Sequence, residues 1–524
     1  MERGITMKLK KRLCLLLAAV VAIGTLLGGC GNKSETTGGS GDVMTIDWLP
    51  QNDDYVNSES PIVKKYEEIL GVKFNFIYLD RSKMTELLNM RIASNQIPDV
   101  MRLSRDLYQS YIDQGVLTPF TEEELEKNAP TVHQLCKENA WESLWENLQV
   151  DGKLYGIPAL NAQGAYPLVP IWRDDWLKKV GIDKIPETID EAEVAFRKFV
   201  KEDPDGNGAN DTYALSDKGF NAVYGAFGTQ EYALWLEKDG KLEYSMTMPE
   251  MKEALTLLNK WYQEGLIDPE FITGESKGQY WANTVSFWNG RIGFSVPGMY
   301  YHISSADETE VASQNYTSFK EIQGENASYK PGVPFKGPDG KSGTYKWGTY
   351  AGNYIVMGKN VEKDQAKKEK ILQIHEKINS DFDFYKLCIL GIENEDYTFD
   401  GERYDKTLFT NKNITTASAG LDTNGIAYVQ NNFEFGAEVK KKDFAFADKV
   451  ASIPGYVNKV WTGLPSSGQY ASIVESKGKE AIILFISGQR SLDEFDKYVE
   501  EMNTAGLAQL TKEANEWYQT NKQD

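Results

Sequence analysis

The chain has 524 residues and a formal net charge of −20, from 77 acidic and 57 basic side chains. So acidic a surface repels polyanions and excludes nucleic acid and anionic lipid as partners of the protein body. Three histidines (His133, His302, His375) and four cysteines argue against His-based catalysis, a His-rich metal site and a disulfide framework.

The N-terminus carries a basic stretch, Lys8, Lys10, Lys11 and Arg12, followed by an apolar run from Leu13 to Leu27. That run is too short to span a bilayer, which needs ~20 residues, and the pattern is that of a secretory signal over 1–29. Leu27-Gly28-Gly29-Cys30 resembles the lipobox of bacterial lipoproteins. The resemblance implies that Cys30 becomes the lipid-bearing first residue of the mature chain. Residues 30–43, rich in Gly, Ser and Thr, then serve as a flexible tether. Cys14 leaves with the signal, and Cys136 and Cys388 are read as buried thiols.

Structure is expected to begin at Met44–Leu49, where apolar residues alternate as in a strand. Pro61–Leu70 reads as a helix with Pro in its first turn, Val72–Leu79 as a strand, and Arg81–Ser94 as a helix. Another strand begins at Pro98–Met101. This order predicts βαβ units and a mostly parallel sheet. Ile189–Val200, Glu250–Gly265, Asn360–Asn379 and Ser491–Lys522 carry helical periodicity. Gly290–Val296 reads as a buried strand, and Ser304–Ser342 as loop or crossover. The length beyond the tether predicts two or three domains.

The sharpest local chemistry is Asp203-Pro-Asp205-Gly-Asn207-Gly-Ala209-Asn-Asp211. Oxygen donors at alternate positions of a Gly-punctuated turn can converge on Ca²⁺. The donors would be the side chains of Asp203, Asp205, Asn207 and Asp211 and the carbonyl of Ala209. The bidentate Glu of an EF-hand is missing, because its position holds Ala214. An acidic turn between helix and loop is the plainer alternative. Gly274–Gly278 fits G-x-S-x-G, but it lacks the buried strand before the Ser and a partner His. Carboxylate pairs (Asp53/Asp54, Asp174/Asp175, Glu393/Glu395/Asp396) are expected by chance in so acidic a chain.

The 12 Trp, 28 Tyr and 22 Phe point elsewhere. Sugars present flat C–H faces ringed by hydroxyls, which aromatic rings and neighbouring polar side chains bind together. Trp48, Asn52, Asn161, Tyr166, Arg173, Trp281, Trp288, Tyr300, Trp347 and Trp461 combine aromatic and polar character in expected loops and are the candidate ligand contacts.

Taken in order, further strings carry a resemblance over most of the mature chain. They are Ile97-Pro98-Asp99-Val100, Asp151-Gly-Lys-Leu-Tyr-Gly-Ile-Pro158, Ile171–Gly181, Ile185-Pro186-Glu187-Thr188 and the Gly478–Asn503 region. The chain resembles the solute-binding lipoproteins of ABC importers, specifically the large extracellular group 1 proteins that include the LplA type. Larger members have a Ca²⁺ loop like that at Asp203, though an acidic residue often follows its last Asp where this chain has Thr212.

The resemblance implies a two-lobed α/β fold of the type II periplasmic-binding-protein kind, with mixed central sheets, flanking helices and a hinge. The expected lobes are 44–160 with about 345–400, and about 161–344 with 401–524. The implied activity is non-enzymatic: a monomeric receptor on the outer face of a Gram-positive cell membrane captures a carbohydrate, an oligosaccharide, and passes it to a permease. The membrane is met through the lipid anchor alone. A peptide or other non-sugar receptor on the same scaffold, a surface polysaccharide-degrading enzyme and a Ca²⁺-dependent adhesion protein remain as alternatives.

Overall fold

The structure, a computed structural model, describes residues 43–50, 54–80, 83–139, 145, 148–160, 166–273, 281–305, 307–309, 312–348, 350–428, 432–450, 452–460 and 463–521. From Met44 onward these form one compact body. The signal, Cys30 and the tether to residue 42 lie outside the described residues. Among the described residues no helix is long and apolar enough to cross a membrane.

Two hydrophobic cores organise the body. The first is built on a five-stranded sheet ordered Lys73–Phe76, Thr45–Leu49, Val100–Ser104, Tyr350–Met357, Gly156–Leu160. Thr45–Leu49 pairs in parallel with both neighbours, as the βαβ spacing predicts. Tyr350–Met357 runs antiparallel to both of its neighbours, so the sheet is mixed rather than purely parallel. This strand arrives from far along the chain, and local periodicity carries no record of its partners.

The helix expected at Pro61–Leu70 forms over those residues, with Pro at its first position and Gly71 closing it at φ 64°. It buries Ile62, Val63, Tyr66 and Leu70. It also buries Glu67, which accepts from the Phe74 amide at 3.1 Å and the Lys73 ammonium at 2.6 Å, tying the helix end to the edge strand. Asp99 works likewise, accepting from the Asp47 amide at 2.9 Å and Lys367 Nζ at 2.8 Å.

The Asp151 string is a tight hairpin between Gln149–Val150 and Lys153–Leu154. Asp151 (φ 51°) and Gly152 (φ 71°) supply its two left-handed residues. A side chain at Gly156 would meet the Ile355 carbonyl at 3.0 Å, so the close approach of this strand to Tyr350–Met357 favours Gly there.

The second core surrounds a three-stranded antiparallel sheet, Val169–Arg173 between Phe294–Gly298 and Tyr329–Pro331. Helix Ile189–Glu202 starts at a capping box of Thr188 and Glu191 and buries Ala192, Ala195, Phe196 and Phe199. Helix Pro249–Gln263 buries Met251, Leu255, Leu258 and Trp261, as its periodicity implies. Trp172, Phe196, Phe294 and Phe335 pack ring against ring.

Three expectations change. Ser304–Ser342 holds the helix Gln314–Gln323, capped by Ser313 and seated on the buried Phe319, as well as the strand Tyr329–Pro331. Ser491–Lys522 is broken at Asn503–Leu507, where Gly506 takes φ 120° against the Tyr470 ring. Tyr404, Phe409, Leu421, Ile426 and Val439 pack in the first core, and the second resumes only at Phe446. The exchange between cores therefore falls after Val439 and not at 400.

Candidate functional site

A cavity of about 460 Å³ opens beside the second core. The turn Asp217–Gly219 and helix Phe220–Phe227 bring Asp217, Lys218 and Asn221 to its wall, and the end of strand Phe294–Gly298 brings Val296 and Pro297. Helix Ser467–Ser487 adds Lys479, Ile482, Ile483 and Ile486. Glu231, Tyr232, Trp281 and Trp347 complete the polar and aromatic part of the lining.

The rings form a continuous run. Tyr232 stacks on Tyr345 with centroids 4.1 Å apart, Tyr345 lies 5.2 Å from Trp347, and Trp347 lies 5.9 Å from Trp281. From Trp281 the run continues through His302 at 5.4 Å and Tyr301 to Tyr300, which meets Tyr166 at 5.3 Å. Trp281 and Trp347 are 38% and 44% exposed, so two indoles remain accessible beside a cavity of sugar-ring dimensions.

The polar groups are set in an apolar wall. Asn221 is 2% exposed; its Oδ1 accepts from the Tyr345 amide at 2.9 Å, and its Nδ2 has no protein partner. A buried amide donor without a protein acceptor is costly. Burial, and then the neighbouring Asp217 carboxylate, push the Glu231 carboxyl up to about 8, so it is mainly an acid at neutral pH. Burial, reinforced by Lys218, pushes His302 down to about 3 and keeps its imidazole neutral. Lys218 Nζ donates to the Asn283 carbonyl, and Lys479 pairs with Glu475 at 2.5 Å.

The sequence candidates divide three ways. Tyr166, Trp281 and Trp347 lie on the aromatic run. Asn52, Asn161 and Trp461 lie outside the described residues, as does the Gly274–Gly278 string. Trp48, Arg173, Trp288 and Tyr300, also expected as ligand contacts, are buried in the cores, Tyr300 at the buried end of the aromatic run. Trp48 packs on Phe74 and His375. Trp288 donates its indole N–H to Asn315 Oδ1 at 2.9 Å. Arg173 holds Asp175 with two bonds of 2.8 and 2.7 Å and lies over the Trp176 ring. The carboxylates Asp174 and Asp396 are also engaged, with Lys178 and Lys412.

Asn221, Glu231, Tyr232 and Tyr345 were missed. Asn221 had a signal: it is the one polar side chain in the apolar helix Phe220–Phe227.

In the Asp203–Asp211 loop, Asp203 ends the preceding helix at φ 46°, and Gly206 and Gly208 both take φ 77°. The Gly208 amide donates to Asp203 Oδ2 at 2.9 Å. Asn207 Nδ2 donates to Asp205 at 2.8 Å and to Asp211 at 3.1 Å. Asp203 is held low, first by a hydrogen bond with Asp205. Asp205 is pushed up by burial and then by that same bond. A cation beside the two carboxylates would offset their mutual repulsion. Thr212 turns away, its hydroxyl bonded to the Phe199 carbonyl at 3.1 Å. Among the described residues no group of three or more Asp, Glu, His or Cys side chains is assembled for a metal ion, so Asn207 and the Ala209 carbonyl would have to complete any site here.

Residues 61–368 match the family of bacterial extracellular solute-binding proteins. The polygalacturonan/rhamnogalacturonan-binding protein YtcQ of Bacillus subtilis (strain 168) is 23% identical over 97% of this chain and 99% of its own. Lipoprotein LipO of the same strain is 25% identical over 98% and 99%. Among solved structures, the alginate-binding protein AlgQ2 without calcium superposes with TM-score 0.66 at 16% identity, covering 92% of this chain and 99% of that one. The Streptococcus pneumoniae ABC-transporter substrate-binding protein FusA with kestose gives 0.63 at 17%, over 91% and 99%. These likenesses show the fold, and with the family match over more than half of its length the chain belongs to the bacterial extracellular solute-binding proteins.

Proposed function

We propose that this protein is a lipid-anchored receptor that captures an oligosaccharide outside the cytoplasm and delivers it to an ABC permease. The observation that carries the reading is the cavity in which two accessible indoles, Trp281 and Trp347, stand beside the buried, unpartnered amide of Asn221. Flat apolar rings next to fixed hydrogen-bond donors are what a pyranose or furanose needs. Relatives whose names mention polygalacturonan, alginate and kestose support a saccharide ligand. Cys30 carries the lipid and residues 31–43 the tether. The ligand bridges two lobes built on the two cores and favours the closed arrangement, and that arrangement docks on the permease. The lobe boundaries are 44–160 with about 345–439, and about 161–344 with 440–524. Tyr166, and Asn52, Asn161 and Trp461 outside the described residues, are further candidate contacts.

Ca²⁺ is held by Asp203, Asp205, Asn207, the Ala209 carbonyl and Asp211, and its role is structural: it fixes the end of helix Ile189–Glu202.

Calorimetry with an oligosaccharide panel tests the ligand. Binding lost in both Trp281→Ala and Trp347→Ala, with unfolding temperature unchanged, is the expected result. Wild-type affinity in both would end the stacking role. Radiolabelled palmitate incorporation into wild-type but not Cys30→Ser protein in cells tests the anchor.

A further inference from the structure

A second accessible aromatic surface stands at one end of the first sheet, and what it binds is inferred on the oligosaccharide reading above. Among the described residues four aromatic side chains are exposed: Tyr55, Trp281, Trp347 and Phe399. Phe399 closes a two-stranded hairpin by stacking on Tyr404. Tyr55 is 68% exposed, the most of the four, yet its ring is held 4.2 Å from that of Tyr78 at a tilt of 35°. The stacking orders the Tyr55 ring before any ligand arrives and leaves most of it in water. Asp54 is exposed beside it, its Oδ1 accepting from the Tyr55 amide at 2.7 Å. An aromatic face next to a carboxylate, which accepts from hydroxyls, repeats the chemistry of a sugar contact.

Strand register brings this pair to the same end of the sheet as Trp347. Lys73–Phe76, Thr45–Leu49 and Val100–Ser104 run parallel, so their carboxyl ends share one edge. Tyr78 and Tyr55 follow the first two of these strands in the chain, and the Ile77 amide extends the edge by donating to the Trp48 carbonyl at 2.8 Å. Tyr350–Met357 runs the opposite way, with Asn353 across from Ser104 and Tyr350 across from Leu160. Its beginning therefore lies at that same edge, and Trp347 shortly precedes it. Trp281 joins through its contact with Trp347 at 5.9 Å. The crevice outside the carboxyl ends of parallel strands is where open α/β sheets take their ligands.

The two surfaces are not one. Lys73–Phe76 and Tyr350–Met357 are three steps apart in the sheet order, a width of about 14 Å at the usual strand spacing. A single sugar ring, closed by bonds of about 1.5 Å, covers only a fraction of that width.

We propose that Tyr55 and Tyr78 form a second stacking platform for the same oligosaccharide, so that the ligand is a chain of about three or more sugar rings reaching from this pair to Trp347 and Trp281.

The test uses the purified full chain and oligosaccharides from pectin, xylan and inulin hydrolysates, sized by gel filtration into pools from single rings upward. Calorimetry ranks the pools. Affinity should rise by about tenfold or more between the two-ring and four-ring pools of the sugar that binds. Tyr55→Ala should remove most of that gain and leave two-ring binding within about twofold, with the unfolding temperature unchanged. Tyr55→Phe keeps the ring and should hold four-ring affinity within about threefold. An affinity that levels off at the two-ring pool would overturn the inference and leave the oligosaccharide reading standing. So would wild-type affinity for every pool in folded Tyr55→Ala protein, or equal weakening of short and long chains. Retention of no pool would instead overturn the oligosaccharide reading, and this inference with it.

Discussion

In the first core the rings are closed in: Trp48 lies between Phe74 and His375, and Tyr66 meets Phe384. In the second core, rings continue from the buried Tyr300 through Tyr301 and His302 to Trp281 and Trp347, where they become accessible. The same residue types thus hold one half of the molecule together and line a cavity in the other. The difference lies in where each ring run ends.

That contrast can be broken most sharply at Trp48. Trp48→Ala should destabilise the protein by about 3–5 kcal/mol, because a 1% exposed indole leaves a cavity the sheet cannot fill. Denaturant unfolding measures it, and a loss below about 1 kcal/mol would remove Trp48 from the core.

Next in size is the Asp203–Asp211 loop with its proposed Ca²⁺, in the second half alone. Added Ca²⁺ at a hundredfold over its dissociation constant should stabilise by about 2.7 kcal/mol. EDTA should reverse this in wild-type protein and do nothing in Asp205→Asn. Identical scanning-calorimetry traces with Ca²⁺ and EDTA would exclude the ion.

A third test separates the cores by pH. Burial pushes His375 down to about 4. Its neutral form contributes stability that is fully present above the unfolded value of about 6.5 and is lost as pH falls through about 4. The loss should reach about 2 kcal/mol at pH 5. His375→Leu should remove the His375 share of this loss, about 2 kcal/mol at pH 5, while the share from His302 persists and extends down to about 3. Urea titrations of both proteins at pH 7 and pH 5 check this, and an unchanged difference would place the acid sensitivity elsewhere.

The smallest effect on stability and the largest on binding should come from Trp281→Ala. An accessible ring should cost at most about 0.5 kcal/mol of stability. Its removal should nevertheless weaken sugar binding by tenfold or more, about 1.4 kcal/mol. The opposite pattern would make Trp281 a packing residue like Trp48.

How far the sequence reached depended on what each signal encodes. Alternation showed Thr45–Leu49 as a strand, and it also contained the fate of Trp48, which shares its face with the buried Ile46. Its choice as a ligand contact overlooked that face. Val169–Arg173 is buried on both sides, so no alternation distinguished Arg173 from a surface contact. Trp281 and Trp347 were legible because both stand in polar, loop-like sequence. The cavity was not, since it joins Asn221, Glu231 and Lys479 from segments with no local sign of meeting. The exchange after Val439 was hidden for a similar reason: the short helices of that region pack by tertiary contact and not by any marked boundary.

The interior strand Tyr350–Met357 has a consequence for how the chain folds. It lies between Val100–Ser104 and Gly156–Leu160, which are complete long before it. Until Met357 follows, those two strands have a gap between them, and all three strands of the second core's sheet precede it in the chain. Unfilled strand edges are templates for mispairing, and closure across so long a loop is slow. The nascent first half must therefore wait with its sheet unfinished, which makes this interval the one in which the chain is most dependent on being shielded from its neighbours.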